Sequence, residues 1–127
     1  MTKKDKVLII EDEIDLRRLL KNKLVSRGFD VLEADNGKIG LEMALSQHPD
    51  IILLDILMPV MDGLLMLKEL RYSEYGKSVP IIILTNLERT KVVGESLEKD
   101  FNNYFMKSDL EPDDVINIIR EKLMEHK

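Results

Sequence analysis

The chain has 127 residues, of which 44% are hydrophobic and 34% charged, and its formal net charge is −5. A chain of this length can bury about two thirds of its unfolded surface, so one soluble domain at 1–127 is expected, and its negative charge argues against a nucleic-acid-binding face. The lack of cysteine excludes disulfides and thiolate metal sites. No apolar run approaches the ~20 residues that span a bilayer, so we expect a cytoplasmic protein that does not bind membranes.

Short apolar segments alternate with amphipathic ones along the chain. The first, Val7-Leu8-Ile9-Ile10, ends on Glu11 and is followed by an apolar stripe at helical spacing. Continuous apolar runs of this length predict strands that are buried on both faces. We predict five strands, at 7–10, 29–34, 51–54, 80–84 and 103–106, and five helices with apolar stripes at Leu16–Leu24, Gly40–Leu45, Leu64–Leu70, Val92–Leu97 and Val115–Leu123.

Turn-forming residues separate these segments. Gly28 is expected to end the first helix, and Asp35-Asn36-Gly37 to begin the second. His48-Pro49 ends the second helix and leads to the central strand. The polar segment Tyr72–Val79 predicts a loop, and Pro112 stands near the first position of the last helix, where its missing N–H costs least.

This alternation predicts βαβ units, and therefore a doubly wound α/β fold with a parallel sheet and helices on both faces. In such sheets, ligands bind at the carboxyl ends of the strands. The residues that follow four of the predicted strands are Glu11-Asp12, Asp55, Thr85 and Lys107. Their side chains are therefore expected to meet at one edge of the sheet.

The chemistry of these side chains indicates phosphoryl transfer. Two carboxylates about 5 Å apart repel by about 3 kcal/mol at an effective dielectric of about 20, so the acids need a cation or a proton. Carboxylate oxygens without His or Cys favour Mg²⁺. In this interpretation Asp55 is the nucleophile, Lys107 and Mg²⁺ offset the charge on the transferring group, and Thr85 donates its O–H to the phosphoryl oxygens.

This set of residues, with Asp55 in the segment Asp-Ile-Leu-Met-Pro-Val-Met-Asp-Gly, resembles the response-regulator receiver domains of two-component signalling. The resemblance extends from about Lys6 to the last helix. It implies a flavodoxin-like sheet in the order 2-1-3-4-5. It also implies that Asp55 takes a phosphoryl group from a histidine kinase or a phosphotransfer protein, and that the domain is no enzyme beyond its own Mg²⁺-dependent phosphorylation and dephosphorylation.

Further roles are implied by the same resemblance. The Mg²⁺ site would consist of Asp12, Asp55, the backbone carbonyl of Leu57 and, through water, Glu11. Thr85 and Tyr104 match the family's switch pair, in which the hydroxyl moves toward the phosphoryl group and the aromatic ring turns inward. The output surface would be formed by the fourth helix, the fifth strand and the fifth helix.

Several positions depart from the family's pattern. Ser108 stands where Pro, often with a cis bond, is usual, and because a cis bond costs a non-proline residue about 3 kcal/mol, we predict a trans bond. Asn86 is larger than the usual residue and is expected to narrow access to the phosphoacceptor. Asp100-Phe101 replaces a common Gly-Ala and predicts a less typical turn into the fifth strand. Leu57 and Leu87 are expected to flank the site, where apolar side chains position no attacking water, so we expect a long-lived phosphoryl group.

Two other interpretations remain open from the residues. One is a small hydrolase that uses Asp55 as a nucleophile on a free phosphoester, although the chain offers no second general base or cap domain. The other is a binding module that uses the fold without phosphorylation; the intact strand-end residues count against it, while Asn86 and Ser108 leave it open. The sequence is compatible with a stand-alone domain or part of a longer chain, and with a monomer or a phosphorylation-dependent dimer.

Overall fold

The computed structural model describes residues 3–58, 60–87, 100 and 103–126. Its strands are β1 (Lys6–Ile10), β2 (Asp30–Ala34), β3 (Ile51–Leu54), β4 (Ile81–Thr85) and β5 (Tyr104–Met106). Its α-helices in the described residues are α1 (Ile14–Ser26), α2 (Gly37–Gln47), α3 (Gly63–Arg71) and α4 (Pro112–His126). The fourth predicted helix, at Val92–Leu97, lies outside the described residues, so α4 corresponds to the fifth predicted helix.

The five strands form one parallel sheet in the order β2-β1-β3-β4-β5, as expected. Ile10 pairs with Leu54, so β1 and β3 end at the same level. Thr85 pairs with Met106, so β4 and β5 also end together. The residues that follow these strands are therefore brought to one edge of the sheet.

The sheet is buried on both faces, because successive residues of a strand point to opposite sides. Leu8 and Ile10 of β1 pack in one core cluster with residues of α2 and α3. Val7 and Ile9 pack in a second cluster with residues of α1 and α4. This two-sided burial explains why the strands appear in the sequence as continuous apolar runs.

No α-helix among the described residues combines the length and apolarity needed to cross a bilayer.

The helix ends agree with the predicted turn residues. The Asn36 side chain accepts a hydrogen bond from the backbone N–H of Ile39 and caps the start of α2. Gly28, just after α1, has a φ of +92°, which glycine adopts without strain. The bond that precedes Ser108 is trans, as predicted, since no cis peptide occurs in the described residues.

The segment Tyr72–Val79 is more ordered than the predicted loop, because it contains a 3-10 turn at Tyr75–Lys77. The Ser73 hydroxyl oxygen accepts a 2.8 Å hydrogen bond from the backbone N–H of Gly76. A Cβ on Gly76 would lie 1.9 Å from the Leu70 carbonyl oxygen, so this turn requires glycine. Its polar composition indicated a loop but did not reveal this close packing.

The backbone conformation of Val60, in the loop between β3 and α3, should lower the stability of the folded protein. It is 80% exposed and has a φ of +70°, an unfavourable conformation for a β-branched residue. Val60→Asn should raise the free energy of unfolding by about 1 kcal/mol, because asparagine tolerates this conformation. Urea unfolding measures the change. Val25→Asn, at an exposed valine of α1, is the control and should give no gain; an equal gain from both variants would contradict strain at Val60.

Candidate functional site

Glu11 and Asp55 lie side by side because β1 and β3 are hydrogen-bonded neighbours that end at the same level. Glu11 is 4% exposed and Asp55 is 5% exposed. Their backbone positions follow from the apolar runs that bury both strands. Since an ionised carboxylate is costly to bury without a partner, this pair requires a cation or a proton.

Lys107 reaches both acids from the end of β5. Its Nζ lies 2.5 Å from Oε1 of Glu11 and donates a 2.9 Å hydrogen bond to Oδ2 of Asp55. The Lys107 side chain is itself mostly buried. One amine therefore bridges the two buried carboxylates and offsets part of their charge.

Backbone groups hold the other oxygens of the two acids. The N–H of Leu57 donates to Oδ1 of Asp55 at 3.1 Å. The N–H of Glu13 donates to Oε2 of Glu11 at 3.1 Å. Each carboxylate therefore has one oxygen on Lys107 and one on the chain, which fixes its orientation.

The start of α3 packs closely against Asp55. A Cβ on Gly63 would lie 2.4 Å from the backbone oxygen of Asp55, so only glycine fits here. The Asp62 side chain accepts a 2.9 Å hydrogen bond from the N–H of Leu65 and caps the helix. The Asp-Gly pair of the sequence thus lets α3 begin directly beside the phosphoacceptor candidate.

Three acids form a group that could hold a metal ion. Carboxylate oxygens of Glu11, Asp12 and Asp55 lie within 4.8 Å of one another. Mg²⁺ binds oxygen at about 2.1 Å, so opposite ligands lie about 4.2 Å apart, and small side-chain shifts would fit these oxygens to one ion. The donor set is all oxygen, which suits a hard cation.

Burial and neighbouring groups shift the pKa values of Glu11 and Lys107. Burial raises the pKa of Glu11 to about 7, and the negative charge of Asp55 adds to this, although hydrogen bonds from Lys107 and the Glu13 N–H oppose it. Burial alone would lower the pKa of Lys107, but hydrogen bonds to Glu11 and Asp55 outweigh it and raise that pKa above its ordinary value. Lys107 therefore stays charged, while Glu11 titrates near neutral pH.

Leu87 links Thr85 to Tyr104. The Thr85 hydroxyl oxygen accepts a 3.3 Å hydrogen bond from the N–H of Leu87. The Tyr104 hydroxyl donates to the carbonyl of the same Leu87. Thr85 is fully buried and the Tyr104 ring is buried in the core beside α2 and α3. One backbone unit thus joins the hydroxyl at the end of β4 to the aromatic ring on β5.

An apolar cleft of about 440 Å³ adjoins the acids. Two acidic residues and five apolar ones line it: Asp12, Asp62, Ile56, Leu57, Met58, Leu64 and Leu87. Leu57 is 52% exposed. As predicted from the sequence, Leu57 and Leu87 flank the acidic site with apolar side chains.

The structure brings the predicted residues Glu11, Asp55 and Lys107 into direct contact, with Asp12 beside them. Arg17 also contacts Glu11, although it was not among the predicted site residues. Its Nη1 donates a 2.8 Å hydrogen bond to the backbone oxygen of Glu11, and its Nε donates to Oε1 of Glu33 at 3.3 Å. No motif marks Arg17, since its role depends on how α1 lies against β1 and β2.

Comparisons with known proteins agree on one family. The family model described as the response regulator receiver domain matches residues 7–120. The regulatory protein AtoC of Escherichia coli K12 is 34% identical over 126 residues, which cover 98% of this chain and 26% of AtoC. The chain thus spans about a quarter of the length of that relative.

Solved structures show the same fold. The receiver domain of the Francisella response regulator 1452 superposes with a TM-score of 0.83 at 29% identity, covering 97% of this chain and 99% of that one. The receiver domain of the sensor histidine kinase PA1611 from Pseudomonas aeruginosa, which has a magnesium ion in its active-site cleft, superposes with a TM-score of 0.76 at 25% identity. That match covers 95% of this chain and 98% of the other.

The raised pKa of Glu11 predicts how stability depends on pH. Because the folded-state pKa is about 7 and the ordinary value is 4.5, the folded protein retains a proton that the unfolded chain has released. The stabilisation that this proton provides is complete below pH 4.5 and is lost as the pH rises through about 7. In metal-free buffer, the unfolding free energy of the wild type should therefore decrease between about pH 5 and about pH 8. In Glu11→Gln this decrease should be smaller by about 1–3 kcal/mol.

Urea unfolding at several pH values measures this decrease. Glu42→Gln removes the same formal charge from an exposed position of α2 and should keep the wild-type pH dependence. If Glu11→Gln also kept the wild-type dependence, the burial of Glu11 would not be its source.

Proposed function

Because the chain belongs to the response regulator receiver domains of two-component signalling, we propose that Asp55 is the residue that accepts the phosphoryl group. One observation carries the proposal: Asp55 is buried at a strand end, with Lys107 on one oxygen and a backbone N–H on the other. A carboxylate held in a fixed orientation within an acidic site is suited to nucleophilic attack on phosphorus.

In the proposed step, an oxygen of Asp55 attacks the phosphorus of a phosphohistidine on a partner kinase or phosphotransfer protein. The new O–P bond forms as the P–N bond breaks, and the electron pair returns to the donor's imidazole nitrogen. Lys107 lies beside Asp55, where its charge can stabilise the phosphoryl oxygens as they arrive. The product is an aspartyl phosphate.

We assign the metal site to Glu11, Asp12, Asp55 and the backbone carbonyl of Leu57. Mg²⁺ bound there would supply the positive charge that offsets the charge on the transferring phosphoryl oxygens. Three observations support this assignment: the all-oxygen donor set, the spacing of the acids, and the magnesium ion in the related receiver domain of the kinase PA1611. Glu11, with its raised pKa, would release its proton more readily once a cation lies nearby.

The hydrogen bonds around Leu87 suggest how phosphorylation is read. When the Thr85 hydroxyl turns toward the new phosphoryl group, it leaves the N–H of Leu87. Leu87 also accepts the Tyr104 hydroxyl, so a shift of this backbone unit changes the environment of the ring. Phosphorylation would then favour one arrangement of Thr85, Leu87 and Tyr104 over another. The expected output surface includes β5 and α4.

A free-substrate hydrolase is not favoured. The family and the fold are those of receiver domains, and the cleft beside Asp55 is lined mostly by aliphatic side chains. In our proposal the domain carries out only its own phosphorylation and dephosphorylation. Its partners are a histidine kinase or phosphotransfer protein and a downstream protein that recognises the phosphorylated form.

Phosphoryl uptake tests the assignment of Asp55. Incubation with acetyl phosphate and Mg²⁺ should add one phosphoryl group to the wild type, as measured by intact mass. Asp55→Asn should take up none, because the amide is a poor nucleophile, and chelation of the metal should also prevent uptake. Asp62→Asn is the matched control: asparagine caps a helix as well as aspartate, so this variant should fold and be phosphorylated. Wild-type uptake in Asp55→Asn would refute the assignment.

The apolar side chain of Leu87 predicts a long-lived phosphoryl group. An acidic side chain at this position could orient a water molecule toward the phosphorus, so Leu87→Glu should accelerate dephosphorylation by about tenfold. The decay of the intact-mass adduct after removal of the donor measures the rate. Leu87→Met keeps the position apolar and should keep the wild-type rate. An unchanged rate in Leu87→Glu would show that access of water is controlled elsewhere.

A further inference from the structure

A second buried ion pair lies near the opposite end of β5. Nη2 of Arg71, at the end of α3, lies 2.5 Å from Oδ1 of Asp100, a few residues before β5. Asp100 is 2% exposed and the Arg71 side chain is mostly buried. This Arg71–Asp100 pair takes no part in the phosphoacceptor site described above.

Arg71 also contacts the chain between α3 and β4. Its Nη1 donates to the carbonyl oxygen of Gly76 at 2.8 Å and to that of Val79 at 2.7 Å. One guanidinium therefore joins the end of α3, the connection into β4 and the residue Asp100. A lysine could not make these contacts together, because they use the planar fork of the guanidinium.

Each member of the Arg71–Asp100 pair has one buried polar atom that could form a further hydrogen bond. Nε of Arg71 and Oδ2 of Asp100 are buried and have no hydrogen-bond partner. They are the two atoms that would complete a bidentate arginine–carboxylate contact. Removing one member of a buried ion pair leaves an uncompensated charge, so the two side chains depend on each other.

The position of β5 matters because this strand carries site residues. It has three residues, and within the described part of the chain it forms the edge of the sheet and pairs with β4 alone. Tyr104 is its first residue, and Lys107 directly follows it. A short edge strand has few backbone hydrogen bonds of its own, so contacts at its ends contribute strongly to its placement.

We propose that Arg71 and Asp100 are positioning residues for the phosphorylation site, acting through β5. Lys107 is bound to Glu11 and Asp55 at the carboxyl end of this strand, and the Arg71–Asp100 pair holds the chain ahead of its amino end. Together the two ion pairs set where Lys107 and Tyr104 lie relative to β4. This inference rests on the proposed function of Asp55, because the position of Lys107 affects phosphorylation only if Asp55 accepts the phosphoryl group.

The test combines hydrogen exchange with phosphoryl uptake in Arg71→Met. Exchange of the amides in the β4–β5 ladder should accelerate by about tenfold, beyond any change in the β1–β3 ladder, because one end of β5 is released. Uptake from acetyl phosphate at saturating Mg²⁺ should slow by about three- to tenfold, since small displacements of reacting groups are costly. Arg71→Lys restores the charge and should recover part of both losses.

Leu24→Ala is the control for general destabilisation. Leu24 is fully buried in the cluster that contains residues of α1 and α4, and it is a member of neither ion pair. This variant should affect both ladders alike and leave uptake per folded molecule unchanged. Should Arg71→Met fail to fold, Asp100→Asn provides the same two readouts, because it keeps the side-chain shape and an acceptor oxygen.

Equal acceleration in both ladders, or wild-type uptake in folded Arg71→Met and Asp100→Asn, would overturn the positioning role. Failure of the wild type to take up a phosphoryl group would instead refute the proposed function of Asp55. The exchange measurement needs no phosphorylation and would still decide whether the pair holds β5.

Discussion

The contact of Lys107 with Glu11 and Asp55 is the interaction on which the site depends. Two acids follow adjacent buried strands, where an ionised carboxylate is costly to bury without a partner. Lys107 supplies a positive charge from the end of β5, which lies two positions from β3 and three from β1 in the sheet. The contact therefore joins the ends of β1, β3 and β5 at the edge where we propose that phosphorylation occurs. It leaves the acidic group with an excess of negative charge that a metal ion can relieve.

In the proposed switch, the same arrangement connects the site to the far strand of the described sheet. β5 begins with Tyr104 and is followed directly by Lys107. The backbone of Leu87 joins Tyr104 to the hydroxyl of Thr85. In our proposal, phosphorylation of Asp55 acts on these groups through the ends of β4 and β5. The Arg71–Asp100 pair, which we propose positions β5, lies near the amino end of that strand.

Much of the fold and site followed from the order of apolar runs and from the residues that end them. Asp55, Thr85 and Lys107 could be proposed as site residues because parallel strands bring their carboxyl ends together. Contacts set by packing could not be predicted: Arg71 and Asp100 are far apart in the sequence, and the unusual Asp100 signalled only an atypical turn. The positive φ of Val60 was likewise hidden, because nothing in the sequence marks a valine as occupying that conformation.

The most direct test of the central claim identifies the residue that carries the phosphoryl group. Borohydride reduces an aspartyl phosphate to homoserine and releases phosphate, which leaves a stable mark on the chain. After incubation with acetyl phosphate and Mg²⁺, peptide fragmentation should find homoserine at position 55. Reduction at Asp12 or Asp62, or the absence of any reduced residue in a phosphorylated sample, would contradict the account.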